Sequence, residues 1–200
     1  MAGAVTFWFE LASRYTYPAA MRLETEARWR EIPVLWRPFL LGPIFKAQGW
    51  ESSPFVLYPA KGRYAVRDLE RVCAAQSIPF RSSQLSKPQN SVLGARVATA
   101  LEPQSRPAFA RALFTLQFGE ARDIGEPDIV AEALRRAGLD EIYLQRAQSD
   151  AVKAELRAAT EEAMALGIFG APSFTTSDGE LFWGNDRLEQ ALDWARKERE

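Results

Sequence analysis

The chain has no histidine among its 200 residues, and that absence excludes more than any residue it contains. Without imidazole there is no Ser-His-Asp or Cys-His catalysis, no HExxH metalloprotease site and none of the commonest zinc and iron ligand sets. Cys73 stands alone, which rules out an intrachain disulfide, a CxxC redox pair and a multi-cysteine zinc site. Excess charge of either sign is missing too. With 25 basic residues against 26 acidic ones, no global field draws the chain to nucleic acid or an anionic membrane, and neither is expected as a partner. No apolar run reaches the roughly 18 residues of a membrane span, and Met1-Ala2-Gly3-Ala4 carries no basic leader signature, so the expected compartment is the cytoplasm.

What is present has an ordinary globular balance, with 47% hydrophobic and 26% charged residues. The length suits one domain, or one domain with a sizeable insertion. Val5 to Glu10 (VTFWFE) reads as a short, mostly buried strand. After a turn at residues 11–13, Ala19, Leu23, Ala27 and Arg30 recur at helical spacing, with Ser13 or Thr16 available as the N-cap. Pro33 to Phe39 reads as a second strand, parallel to the first.

From Tyr58 onward the texture becomes helical, in stretches ending at Gln76, Ala100, Phe118, Arg136 and Leu166, punctuated by Pro103, Pro107, the Gly125-Glu126-Pro127 break and Gly138. Strand signal returns in Pro172 to Thr176 and Glu180 to Trp183 around a Ser177-Asp178-Gly179 turn, and Asp186 to Lys197 closes the chain as an amphipathic helix. The order is β-α-β, helices, β-β-α. That is an α/β, thioredoxin-like fold split by a large all-helical insertion, with residues 1–57 and 168–200 forming the thioredoxin-like part and 58–167 the insertion.

A few positions are suited to chemistry. Ser13 lies in the first strand-to-helix turn, where free N–H groups and the helix dipole favour an anion. It either caps the helix or donates to a bound thiolate, lowering a thiol pKa from its ordinary value of about 8.5. In Gly170-Ala171-Pro172-Ser173-Phe174 a trans proline would be an ordinary edge residue; a cis Ala171-Pro172 bond would turn the Ala171 N–H and C=O outward to pair with an extended peptide. Asn185 and Asp186 in Gly184-Asn185-Asp186-Arg187 either cap the last helix or bind an amino-acid zwitterion, Asp186 taking the ammonium and nearby N–H groups the carboxylate. Lys46 and Lys61 are solvated charges or carboxylate binders. Cys73, among apolar helix-face positions, reads as a small buried hydrophobe and not as a nucleophile.

Taken in order, Phe7 to Tyr17, Trp36 to Lys46, Gly167 to Pro172 and Phe182 to Arg187 resemble the 2-hydroxychromene-2-carboxylate isomerases, relatives of the kappa-class glutathione transferases in the DsbA-like thioredoxin superfamily. The resemblance runs over nearly the whole chain and implies a homodimer that uses glutathione as cofactor. It makes Ser13 the stabiliser of the glutathione thiolate, Pro172 the family's cis-proline, and Ala171 the residue that pairs with the tripeptide backbone. It places Asn185 and Asp186, within Gly184 to Arg187, on the γ-glutamyl end, Lys61 on the glutathione side, and Lys46, Gln89 and Asn90 in the pocket of a small aromatic carboxylate substrate. The implied reaction belongs to naphthalene-type catabolism and opens the hydroxychromene carboxylate to trans-o-hydroxybenzylidenepyruvate, the thiolate adding to a conjugated double bond, allowing rotation and leaving.

Three positions depart from the family pattern. Arg14 replaces the proline after the serine, Glu10 replaces the first-strand aspartate, and Trp50 stands where an asparagine often ends the Lys46 segment. These leave two alternatives open: a kappa-like transferase that conjugates electrophiles, and a non-catalytic peptide-binding module of the same fold.

Overall fold

Val5–Phe9 forms the first strand, β1, at the centre of the molecule. Phe7 and Phe9 pack on one side with Trp36 and Phe174, while Trp8 packs on the other with Phe39, Ile44 and Ile168. A strand covered on both faces has no reason to alternate apolar and polar residues, which is why VTFWF reads as a nearly continuous apolar run. The structure, a computed structural model, describes residues 3–82 and 89–198. The parts of the expected segments that fall on residues 1, 2, 83–88, 199 and 200 lie outside them.

The chain leaves β1 into helix α1 (Thr16–Trp29) and returns in β2 (Val34–Pro38), parallel to β1 as expected. Helices follow: α2 (Leu41–Ala47), α3 (Pro54–Leu57), α4 (Pro59–Ala75), α5 (Val92–Ala100), α6 (Arg106–Phe114), α7 (Pro127–Arg136), α8 (Ile142–Arg146) and α9 (Asp150–Ala165). Strands β3 (Ser173–Thr176) and β4 (Leu181–Trp183) then form an antiparallel hairpin, with β3 also antiparallel to β1, and α10 (Leu188–Lys197) ends the described chain. The sheet order is β2-β1-β3-β4. This is the expected thioredoxin-like arrangement, with helices inserted between its β-α-β and β-β-α halves.

The differences from the sequence reading have local causes. Helices α2, α3 and α8 were not expected, because pieces of seven, four and five residues are too short to display a period. The expected helix to Phe118 passes into a π turn at Thr115–Gly119. The last helix is preceded by a 3-10 turn, Asn185–Arg187.

Two prolines, Pro54 and Pro59, start α3 and α4 at positions where a missing N–H costs nothing. Gly62 lets the two helices touch, since a Cβ there would lie 2.3 Å from the Phe55 backbone oxygen. Gly62→Ala is therefore expected to destabilise the fold by about 1–3 kcal/mol through overpacking, read as a lowered midpoint in thermal unfolding. An unchanged midpoint would mean that α3 is not held against α4.

Candidate functional site

The turn between β1 and α1 is built around Glu10, which is only 5% exposed. Its carboxylate accepts from the Ala12 N–H at 3.0 Å and from the Ser91 hydroxyl, and its backbone oxygen accepts from the Ser13 N–H at 3.1 Å. Burial pushes the Glu10 carboxyl up to about 7, and the hydrogen bonds from Ser91 and the turn N–H groups only partly offset this. The carboxyl thus closes the loop that presents Ser13.

Ser13 does not cap α1. The N-cap position belongs to Tyr15, which makes no side-chain capping bond, and Thr16 is buried in the first turn. The Ser13 hydroxyl instead donates to the Ala171 carbonyl oxygen at 2.9 Å. The Ala171-Pro172 bond is cis. Of the two Ala171 backbone groups expected to meet a ligand, the C=O is already engaged by Ser13, while the N–H has no partner among the described residues.

Ser13 and Ala171 lie on the wall of a cavity of about 1670 Å3 that runs between the turn, α2, the α3–α4 pair and the segment leading into α10. Lys46, Lys61, Gln89, Asn90, Gly184, Asn185, Asp186 and Arg187 line it as well. Pro172 is buried and does not line it. One wall is aromatic: the Arg14 guanidinium lies 5.3 Å over the Phe55 ring, Tyr15 sits beside Phe55, and Trp50 packs on Phe45. The Tyr15 hydroxyl donates to Asp68 at 2.9 Å, and burial with this carboxylate raises its pKa beyond the ordinary phenol range.

Lys46 and Lys61 are exposed cations on this cavity. Gln89 accepts from the Ile124 N–H and Asn90 from the Val92 N–H, so both side-chain oxygens are used within the chain and their amide N–H groups remain as donors. Cys73 is buried in the core, and burial pushes its thiol up to about 11, which disfavours a nucleophilic thiolate. Among the described residues no group of three or more acidic or cysteine side chains could hold a metal ion. No helix there is long and apolar enough to cross a membrane.

At Gly184 the backbone adopts φ +119°, and a Cβ would lie 2.5 Å from the Asp186 carboxylate, so glycine is required for that side chain to fold back. Neither Asn185 nor Asp186 makes a side-chain capping bond; Gly184 and Arg187 occupy the cap positions of the 3-10 turn and α10. Asn185 is buried, while Asp186 is exposed with the Arg187 guanidinium 3.6 Å away. Sequence reasoning named Glu10 only as a departure from the family's strand pattern and gave it no role in the turn, although an acid three positions before the turn hydroxyl was a signal; it missed Arg22, which binds Asn185 and carried none.

Residues 4–194 match the family model of the DSBA-like thioredoxin domain. The human glutathione S-transferase kappa 1 is 30% identical over 167 residues, covering 76% of this chain and 73% of the relative. The 2-hydroxychromene-2-carboxylate isomerase of Sphingobium xenophagum is 29% identical over 194 residues, covering 94% and 96%. A solved structure of a 2-hydroxychromene-2-carboxylate isomerase superposes with a TM-score of 0.84 at 23% identity, covering 97% of this chain and 94% of that one, which establishes the shared fold. With a family match over nearly its whole length and relatives of both kinds, the chain belongs to the DSBA-like thioredoxin domain family.

Proposed function

We propose that this protein is a glutathione-dependent isomerase of 2-hydroxychromene-2-carboxylate-type substrates in aromatic catabolism. The observation that carries the reading is the Ser13 hydroxyl on the cavity wall beside Ala171, in a chain whose single thiol is buried elsewhere. Glutathione, when bound, would supply a thiolate that adds reversibly to a conjugated double bond.

The residues present fit that tripeptide. The Ala171 N–H, unpaired among the described residues, is a donor for its backbone, and the Asn185–Asp186 pair offers a hydrogen-bond donor and a negative charge for its α-amino-acid end. The cavity volume exceeds the roughly 300–1,000 Å3 of a site for one small ligand, so a second molecule has room beside the first. The aromatic wall suits a flat ring, and Lys46 suits its carboxylate.

Ser13 can serve a thiolate by turning its O–H from the Ala171 carbonyl to the sulfur. A charged acceptor makes the stronger hydrogen bond, so the exchange favours the ionised thiol. Arg14 adds positive charge beside the same turn and shifts the balance in the same direction. The raised pKa of Glu10 keeps much of the negative charge away from the thiol near neutrality.

A transferase reading is favoured by the kappa-class relative and by Arg14 and Trp50, which alter the turn and the ring pocket. Total thiol separates the two. With an isomerase, free thiol measured before and after complete conversion of the hydroxychromene carboxylate stays constant while product accumulates. Stoichiometric loss of thiol would reject isomerisation, and absence of glutathione binding would leave the peptide-binding module.

A further inference from the structure

We propose that Arg22 is a positioning residue that orients the Asn185 amide toward the cavity, and that this makes the protein select γ-glutamyl thiols over cysteinylglycine. The inference rests on the glutathione reading of the site. Arg22 lies on α1, and its guanidinium donates to the Asn185 side-chain oxygen at 3.1 Å and to the Asn185 backbone oxygen at 3.3 Å. Its other terminal nitrogen pairs with Glu189 in the first turn of α10.

Arginine has donors and no acceptor, so the Asn185 atom that meets it has to be Oδ1. The Asn185 N–H2 group is thereby assigned to the opposite branch of the amide, and it donates no hydrogen bond to the described residues. Asn185 is 7% exposed and lines the cavity, so an amide held this way presents a donor where Asp186 presents a carboxylate. A donor beside a negative charge is the complement of an α-carboxylate beside an ammonium, the group that glutathione has and cysteinylglycine lacks.

The same helix follows the Ser13 turn, so α1 sets the thiol end and the γ-glutamyl end of the ligand on one rigid element. A freely rotating amide would present its oxygen to the carboxylate in part of the population, weakening the preference. Glu189 completes the device by holding the guanidinium in place.

Calorimetric titration of the whole protein with glutathione and with cysteinylglycine tests this. The wild type is expected to bind glutathione about tenfold more tightly or better, the scale of one charge-assisted hydrogen bond. Arg22→Met should bring the two affinities close together by weakening glutathione alone. Asn185→Asp keeps an oxygen for Arg22 but removes the donor, so it should lose the preference while retaining thermal stability, and it decides the matter if Arg22→Met does not fold.

An unchanged ratio in either variant, or equal weakening of both ligands in Arg22→Met, overturns the proposal. Equal affinities in the wild type overturn it while leaving the glutathione reading standing. Failure of the wild type to bind glutathione at all removes that reading, and this inference with it.

Discussion

Ser13→Ala is expected to lower kcat/KM of the glutathione-dependent reaction by roughly 30- to 1000-fold, corresponding to about 2–4 kcal/mol of lost transition-state stabilisation. The hydroxyl is the proposed donor to sulfur, and alanine removes it without adding bulk. The pKa of the bound thiol should move back toward about 8.5, so the rate profile of the variant should rise at higher pH than that of the wild type. Thiolate absorbance of the glutathione complex reads this directly.

The fold should persist through that change. The native Ser13 to Ala171 bond joins partly buried residues, and losing it costs about 1 kcal/mol of stability. A large loss of activity with a small loss of stability is therefore the expected signature. Turnover within twofold of wild type, with an unshifted pH profile, would remove Ser13 from the reaction and the isomerase proposal with it.

Glu10 gives the second large effect, in stability and with a definite pH window. Its carboxyl titrates at 4.5 when unperturbed and at about 7 in the folded protein, because burial penalises the charged form. Between these values the folded state holds more protons than the unfolded state, so ΔG of unfolding falls as pH rises. The stability conferred by neutral Glu10 is fully present below about pH 4.5 and is lost as pH climbs through 7. The difference of 2.5 units, from 4.5 to about 7, corresponds to about 3 kcal/mol.

Glu10→Gln holds the side chain neutral at every pH. Its amide oxygen can accept from the Ala12 N–H as before, and its N–H2 can donate to the Ser91 hydroxyl. At pH 4 the variant and the wild type should unfold at similar denaturant concentrations; at pH 8.5 the variant should be more stable by about 3 kcal/mol. Parallel stability curves for the two proteins from pH 4 to 8.5 would show that Glu10 does not titrate in this range.

Much of the fold was legible because its signals are local. The VTFWF strand, the helix after it, the second strand and the PSFTT–ELFW hairpin follow from composition and turn residues, and the strands lie within a residue or two of their expected bounds. The short helices α2, α3 and α8 escaped because one or two turns show no periodicity. Ser13, Ala171 and the Gly184 to Arg187 segment could be named from their places in turns, and they line one cavity. Their partners could not be named. Capping, the simplest reading of Ser13, Asn185 and Asp186, failed at all three: contacts distant in sequence, with Ala171 and Arg22, direct the first two side chains elsewhere, and Asp186 folds back beside Gly184 and pairs with its neighbour Arg187.

By itself the sequence determined what this protein does not carry, an imidazole or a pair of thiols, and so excluded intrachain disulfide exchange and histidine chemistry; it also determined the order of strands and helices. Only the tertiary structure decided which polar atoms are taken and which are free. The pairs Ser13–Ala171, Arg22–Asn185 and Glu10–Ser91 are separated by 158, 163 and 81 residues. Helix and turn propensities act over a few neighbours, whereas the first two bonds exist because β3 pairs with β1 and α10 packs on α1, which brings the two ends of the chain to the same cavity, and the third joins the turn after β1 to the residue that precedes α5.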